Sequence, residues 1–259
     1  SKSIYWFRLV FDADGLYMVS QNLNLVYGNK RCVLTPNINE FRMLINRAIE
    51  DISWTLQANL DIESDREKLL TLWCKELHNS ERGHILLQQL STNSLPQQLK
   101  SLCICLAGVT ILLKGENDMI CGSLSLSDSS SLTSNNESLC STWDENSVSD
   151  VFILHSNEIS PRRCGGQGDI LAGCVGAAIH WTTSLHPSST KTNSLVPLHR
   201  FDKELIKGNR LEELLLEEVS PFIQACILGS VVTKKASYLA YQKKRRATTS
   251  PDIMEEIGK

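Results

Sequence analysis

Between Arg162 and Gly173 the chain reads RRCGGQGDILAG, with Gly165, Gly166, Gly168 and a lone carboxylate, Asp169, directly ahead of a helix pattern. Those residue types at that spacing suit one kind of chemistry. Glycine lets the backbone take positive φ, so successive N–H groups can converge on one point. The dipole of the following helix adds positive potential there. Together they make an anion site, and phosphate is the anion such sites most often hold. Asp169 sharpens the reading. A carboxylate beside a bound phosphate repels it, and it has a use there if it accepts a proton from an attacking hydroxyl. Two plainer readings stay open: a glycine turn that merely admits close packing, and an acid that complements the helix dipole. The loop is not a P-loop, because GxxxxGK[ST] is absent.

Other polar residues fall where strands should end. RLVFDADGL reads as a buried strand, Arg8 to Phe11, followed by acids and then a helix from Leu16. KRCVLTPNINEFRMLINRAIED repeats the design: strand Cys32 to Leu34, a Thr-Pro-Asn turn, and a helix with Phe41, Leu44, Ile45 and Ala48 on its apolar face. Strand then helix, twice, is the βαβ signature of a parallel sheet. Ligands gather at the carboxyl ends of such strands, where Asp12, Asp14 and Asn37 would lie. Asp14 reads as a cleft contact or a turn former. Asn37 and Glu40 stand as N-cap and N3 residues of a capping box, or as site residues. Val109 to Leu113 reads as a third strand ending at Lys114, and Gly115 to Asp118 as the turn into a short partner strand.

DILAGCVGAAIHWTT is apolar nearly all round, which predicts a buried helix packed closely on a sheet. SPFIQACILGSVVTKKASYLAYQ predicts another, with Pro221 in its first turn, and TTSPDIMEEIG predicts a last one with a Gly stop. DREKLLTLWCKELHNSE places Leu69, Leu72, Trp73 and Leu77 on one face of an amphipathic surface helix. Residues 123–149 are Ser-rich and poor in large apolar groups, which predicts a disordered insertion. Residues 186–213 read as a surface insertion.

The 259 residues are 42% hydrophobic and carry a formal charge of −3, so charge gives no case for nucleic acid or a membrane surface. The run KKRR, Lys243 to Arg246, reads as a solvated helix end. No apolar run approaches a membrane span. Nine cysteines without framework spacing predict reduced, mostly buried thiols. Six histidines with no HExxH and no Cys/His cluster make a zinc site unexpected.

RRCGGQGDILAG closely resembles the C-terminal signature of the ATP-dependent NAD(P)HX dehydratases, relatives of the ribokinase superfamily. DADGL, VLTPNINEF, VTILLKGEND and the closing KKRRATTSPDIMEEIG resemble further family segments in the same order. The resemblance implies a ribokinase-like α/β fold: a mostly parallel central sheet flanked by helices, one domain over residues 1–259 that lacks the fold's N-terminal strands. It implies that Lys114, Gly115, Glu116, Asn117 and Asp118 contact ATP, together with Arg162, Arg163, Cys164, Gly165, Gly166, Gln167 and Gly168. Asn37, Ile38, Asn39, Glu40, Phe41, Arg42, Met43 and Asp169 would hold the hydrated nucleotide NADHX or NADPHX. Asp169 would be the catalytic base, and Glu40 would hold Mg2+ through a water. The activity implied is repair: ATP phosphorylates the hydroxyl of the hydrated nicotinamide ring, and loss of phosphate restores the double bond. Functional partnership with an NAD(P)HX epimerase and a cytoplasmic or mitochondrial setting follow from the same resemblance. A superfamily kinase that stops at the phosphorylated product, and a truncated non-catalytic nucleotide-binding module, are the alternatives. Because the match begins at DADGL, the piece alone is expected to be poorly stable and weakly active.

Overall fold

The computed structural model describes residues 7–57, 81–124, 148–156, 158, 160–161, 163–184 and 219–259. The expected helix around Leu69 to Leu77, most of the Ser-rich stretch 123–149, all of 186–213 and Arg162 lie outside the described residues. The chain divides into two compact units, one of Phe11–His155 and one of Ser1–Val10 with Ser156–Lys259.

The α/β architecture expected from the sequence is present. A five-stranded sheet has the order β1 (Leu9–Phe11), β2 (Cys32–Leu34), β3 (Thr110–Leu113), β4 (Asp118–Cys121), β5 (Phe152–Leu154). β2 and β3 run parallel, with Val33 opposite Thr110 and Leu34 opposite Ile111. β3, β4 and β5 then pair antiparallel. The β3–β4 hairpin is the one signalled by Gly115 to Asp118, and its turn is closed by Gly115 N–H donating to Asp118 Oδ1 at 2.8 Å. β2 and β3 are buried throughout, which is why they read as unbroken apolar runs.

In the first unit the helices are α1 (Asp14–Gln21), α2 (Ile38–Gln57), α3 (Glu81–Leu90) and α4 (Leu95–Cys105). Their apolar faces meet the strands in one core that includes Leu16, Leu34, Phe41, Leu44, Leu99, Leu102 and Ile111. Burial of this kind is the main term holding the unit together, at about 1.5–3 kcal/mol for each large apolar side chain. Cys32, Cys103, Cys105 and Cys121 lie buried here as free thiols. Burial pushes the Cys32 thiol up to about 12, so it stays protonated and inert.

The second unit holds α5 (Gln167–Ser184), α6 (Pro221–Lys244) and α7 (Ser250–Glu256). Pro221 opens α6 as expected, with the Ser220 hydroxyl accepting from Phe222 N–H. The KKRR run is a helix end: Lys243 and Lys244 close α6, and Lys243 Nζ reaches Glu256 Oε1 at 2.7 Å. Gly258, with φ 108°, stands just past α7 as its stop. Gly229 of α6 faces Val175 of α5 so closely that a Cβ there would lie 2.5 Å from Val175 Cγ2. Gly176 turns toward the strand residue Val10, within 4.0 Å of where its Cβ would be.

One expectation needs correcting. α5 is not buried all round. Leu171, Val175, Ala178 and Ile179 form a buried stripe, while Asp169, Gly173, Ala177, His180 and Trp181 are exposed. Its outward face mixes the small residues Gly173 and Ala177, which present too little surface to demand burial, with Asp169, His180 and a largely exposed Trp181.

Candidate functional site

Chemistry-bearing side chains collect in two places, one in each unit.

In the first unit, the carboxyl ends of β1, β2 and β3 share one edge. Thr35 N–H donates to Phe11 O at 3.0 Å, and Lys114 N–H donates to Pro36 O at 2.8 Å. Lys114 follows β3 directly, and its ammonium lies 2.6 Å from Asp12 Oδ1 and 3.9 Å from Glu40 Oε2. These three side chains are only 14–19% exposed, so the charges are half-enclosed and screening by water is reduced. Asp12 is held at the strand end by a tight turn in which Ala13 takes φ 45° and Gly15 N–H bonds Asp12 O.

The capping reading of NxxE is correct at the level of geometry. Asn37 Oδ1 accepts from Asn39 N–H and Glu40 N–H at 2.9 and 3.0 Å, and Glu40 Oε2 accepts from Asn37 N–H at 2.7 Å. This reciprocal pair satisfies backbone donors that the start of α2 leaves open. It also holds Glu40 beside Lys114, so capping and a site role are compatible in one residue. Phe41 is fully buried in the core, whereas Asn37, Asn39, Arg42 and Met43 are exposed and Ile38 is half-buried. Asp118 is buried and closes the hairpin turn, while Gly115 and Glu116 are exposed at its tip.

Asp14 is not in this cluster. It is exposed and opens α1 as the acid of its first turn, the position its dipole favours. The acid that the fold brings to Lys114 is Asp12. Sequence reasoning placed Asp12 at a strand end but gave it no role, and the only signal for one was that position.

In the second unit the glycine loop leads into α5. Gly165 and Gly166 form the turn, and the helix begins at Gln167, so Asp169 is its third residue. Gly166 has φ 79°, a conformation that favours glycine. A Cβ on Gly166 would also sit 3.1 Å from Ser250 Oγ and 3.8 Å from Asp169 Oδ2. Gln167 Nε2 donates to Ser237 Oγ of α6 at 3.0 Å, and Cys164 packs with Ile170, Ala236, Ala240 and Ile253. Within the loop, Gln167 N–H reaches Cys164 O at 3.4 Å and Ile170 N–H reaches Gly166 O at 3.1 Å. Among the described residues, the N–H groups of Gly165, Gly166, Gly168 and Asp169 have no backbone acceptor. Unpaired donors at the positive end of a helix, on exposed backbone, are what an oxyanion requires. Arg163 is exposed beside them, and the Asp169 side chain is exposed on the first turn of α5.

These features agree with comparison to known proteins. A family model described as NAD(P)H-hydrate dehydratase matches residues 5–88. The chain is similar to the NAD(P)H-hydrate dehydratases. The similarity extends well past that segment: ATP-dependent (S)-NAD(P)H-hydrate dehydratase of Arabidopsis thaliana is 30% identical over 249 residues, 96% of this chain and 44% of the relative. The proteins of the same description from Vitis vinifera and Homo sapiens are 28% and 26% identical, over 97% and 96% of this chain and 47% and 46% of their own lengths. The chain thus spans about half the length of the curated relatives it matches, and the glycine loop lies within the aligned span.

Proposed function

We propose that this chain carries catalytic machinery of an ATP-dependent (S)-NAD(P)H-hydrate dehydratase. The observation that carries the reading is the glycine loop at the start of α5, where N–H groups of Gly165, Gly166 and Gly168 have no backbone acceptor among the described residues and lie beside the Asp169 carboxylate. Its donors fit phosphoryl oxygens, and the Glu40 carboxylate is the kind of oxygen donor a hard cation such as Mg2+ takes.

In this account Asp169 takes the proton from the hydroxyl of the hydrated nicotinamide ring. The loop amides stabilise charge that develops on the transferred phosphoryl group. The family resemblance assigns ATP contacts to Lys114 to Asp118 in the first unit and to Arg163 and the loop from Cys164 to Gly168 in the second. Asn37 to Met43 border the hydrated nucleotide, with Phe41 anchoring the segment in the core rather than touching ligand. Glu40 would hold Mg2+ through a water. That ion, when bound, offsets phosphate charge. Hydroxide is a poor leaving group and phosphate a good one, so phosphorylation prepares the elimination that restores the reduced ring. NADHX and NADPHX are the proposed substrates, and an epimerase that supplies the reactive epimer is the proposed functional partner.

The test uses the purified protein. Incubated with ATP, Mg2+ and NADHX, it is expected to restore absorbance at the reduced-nicotinamide band with stoichiometric phosphate release. ATP consumption without that recovery would instead identify a kinase that stops at the phosphorylated product.

A further inference from the structure

The closing segment TTSPDIMEEIG has no part in the roles above, yet its helix grips the glycine loop. Ser250 is the first residue of α7, and its hydroxyl donates to the carbonyl oxygen of Gly165. Cys164 Sγ lies 3.6 Å from the same hydroxyl oxygen. The closest neighbour that a Gly166 Cβ would meet, at 3.1 Å, is again Ser250 Oγ. One side chain, more than eighty positions away in sequence, therefore sits against three consecutive loop residues.

The peptide geometry gives this contact a consequence. In a trans peptide the C=O and the following N–H point in opposite directions. Holding the Gly165 carbonyl toward Ser250 turns the Gly166 N–H away from α7. Glycine at Gly166 would otherwise let that plane rotate at little cost. We propose that Ser250 is a positioning residue, whose hydroxyl fixes the Gly165–Gly166 peptide so that the Gly166 N–H faces the phosphoryl group.

This rests on the reading of the loop as the phosphoryl site. α7 is a firm base for the contact. Thr249 N–H and Oγ1 donate to Asp252 Oδ2 at 2.8 and 2.7 Å, and Ile253 packs among Ala236, Ala240, Cys164 and Ile170. Ser250 touches the loop and not the reacting groups. Its effect falls on a donor that matters most when charge develops, so it should act on kcat more than on ground-state binding.

The experiment compares Ser250→Ala, Ser250→Thr and Asp252→Ala in the purified protein. Ser250→Ala is expected to lower kcat about ten-fold while KM for ATP stays within about two-fold, since a mis-aimed donor costs less than the ~10²-fold of a deleted one. Ser250→Thr keeps the hydroxyl and should stay near wild type. Asp252→Ala loosens the start of α7 but leaves the hydroxyl, and should also stay near wild type. A second readout does not depend on turnover: in 15N-glycine-labelled protein, inorganic phosphate should shift the Gly166 amide resonance in wild type and not in Ser250→Ala. Should the alanine variant melt below the assay temperature, both readouts are taken for all variants at a temperature below its melt. Unchanged kcat and an unchanged phosphate shift in Ser250→Ala overturn the proposal. Equal losses in Ser250→Ala and Asp252→Ala overturn it too, since they would mark a merely structural helix. A wild type that responds to phosphate but restores no reduced nicotinamide overturns the dehydratase reading alone, and the amide shift still judges Ser250. No phosphate response at Gly166 in wild type overturns the Ser250 proposal, while recovery of reduced nicotinamide still judges the dehydratase reading.

Discussion

Gly166 is the residue on which the loop's conformation turns. Its φ of 79° and the 3.1 Å gap to Ser250 Oγ both disfavour a side chain. Gly166→Ala should cost about 1–2 kcal/mol from the left-handed backbone alone, and more than ten-fold in ATP-dependent turnover. Thermal melts beside kinetics separate the two effects. Asp12 and Lys114 make a second single-residue case. The pair is half-enclosed, so its worth lies between a screened surface bridge and a buried one. Asp12→Asn should cost about 2 kcal/mol in urea unfolding, and Lys114→Met should then add less than it costs alone, because the two share one interaction. Additive losses would show that the 2.6 Å contact carries no coupling. The glycine loop and NxxE were legible in the sequence because their chemistry depends on residues at most four apart. The Asp12–Lys114 pair and the Ser250 clamp were not, because each joins positions that only the tertiary fold makes neighbours.

At the scale of elements, the crossing of α5 and α6 depends on Gly229. A Cβ there would lie 2.5 Å from Val175 Cγ2 and 3.0 Å from Val175 N, so backbone as well as side chain would have to yield. Gly229→Ala should destabilise by about 1–3 kcal/mol through overpacking, despite the better helix propensity of alanine. A midpoint of thermal unfolding equal to or above that of wild type would refute this crossing. The docking of α7 carries a pH dependence. Lys243 holds the Glu256 carboxyl below the usual glutamate range, with help from Lys259 against the opposing effect of desolvation. A depressed folded-state value means that the stabilisation is present above the ordinary glutamate pKa and is lost as acid protonates Glu256 in the fold. Stability in acid should therefore fall more steeply in wild type than in Lys243→Ala, measured by urea unfolding across pH 3–6. Strand and helix types were readable wherever one period dominated: β2 is found over Cys32–Leu34 as expected, and β3 begins one residue late at Thr110. α5 misled because small apolar residues carry the composition of a core without its bulk.

For the whole molecule, two compact units each hold one part of the proposed chemistry, and each makes sense of a different block of the sequence. Five of the seven described cysteines are buried, as their scatter among apolar residues suggested, and all seven are free thiols. No helix among the described residues is long and apolar enough to cross a membrane. The likeness to NAD(P)H-hydrate dehydratases runs through 96% or more of the chain, while the chain covers under half of those relatives. In the proposed reaction Asp169 removes the substrate hydroxyl's proton beside the loop that holds the phosphoryl group. Asp169→Asn keeps the side chain's size and removes its basicity. Assayed with ATP and NADHX, it should lower the rate of recovery at the reduced-nicotinamide band by at least about 10²-fold, within the range for losing a general base, with ATP affinity little changed. Recovery at the wild-type rate would contradict the account.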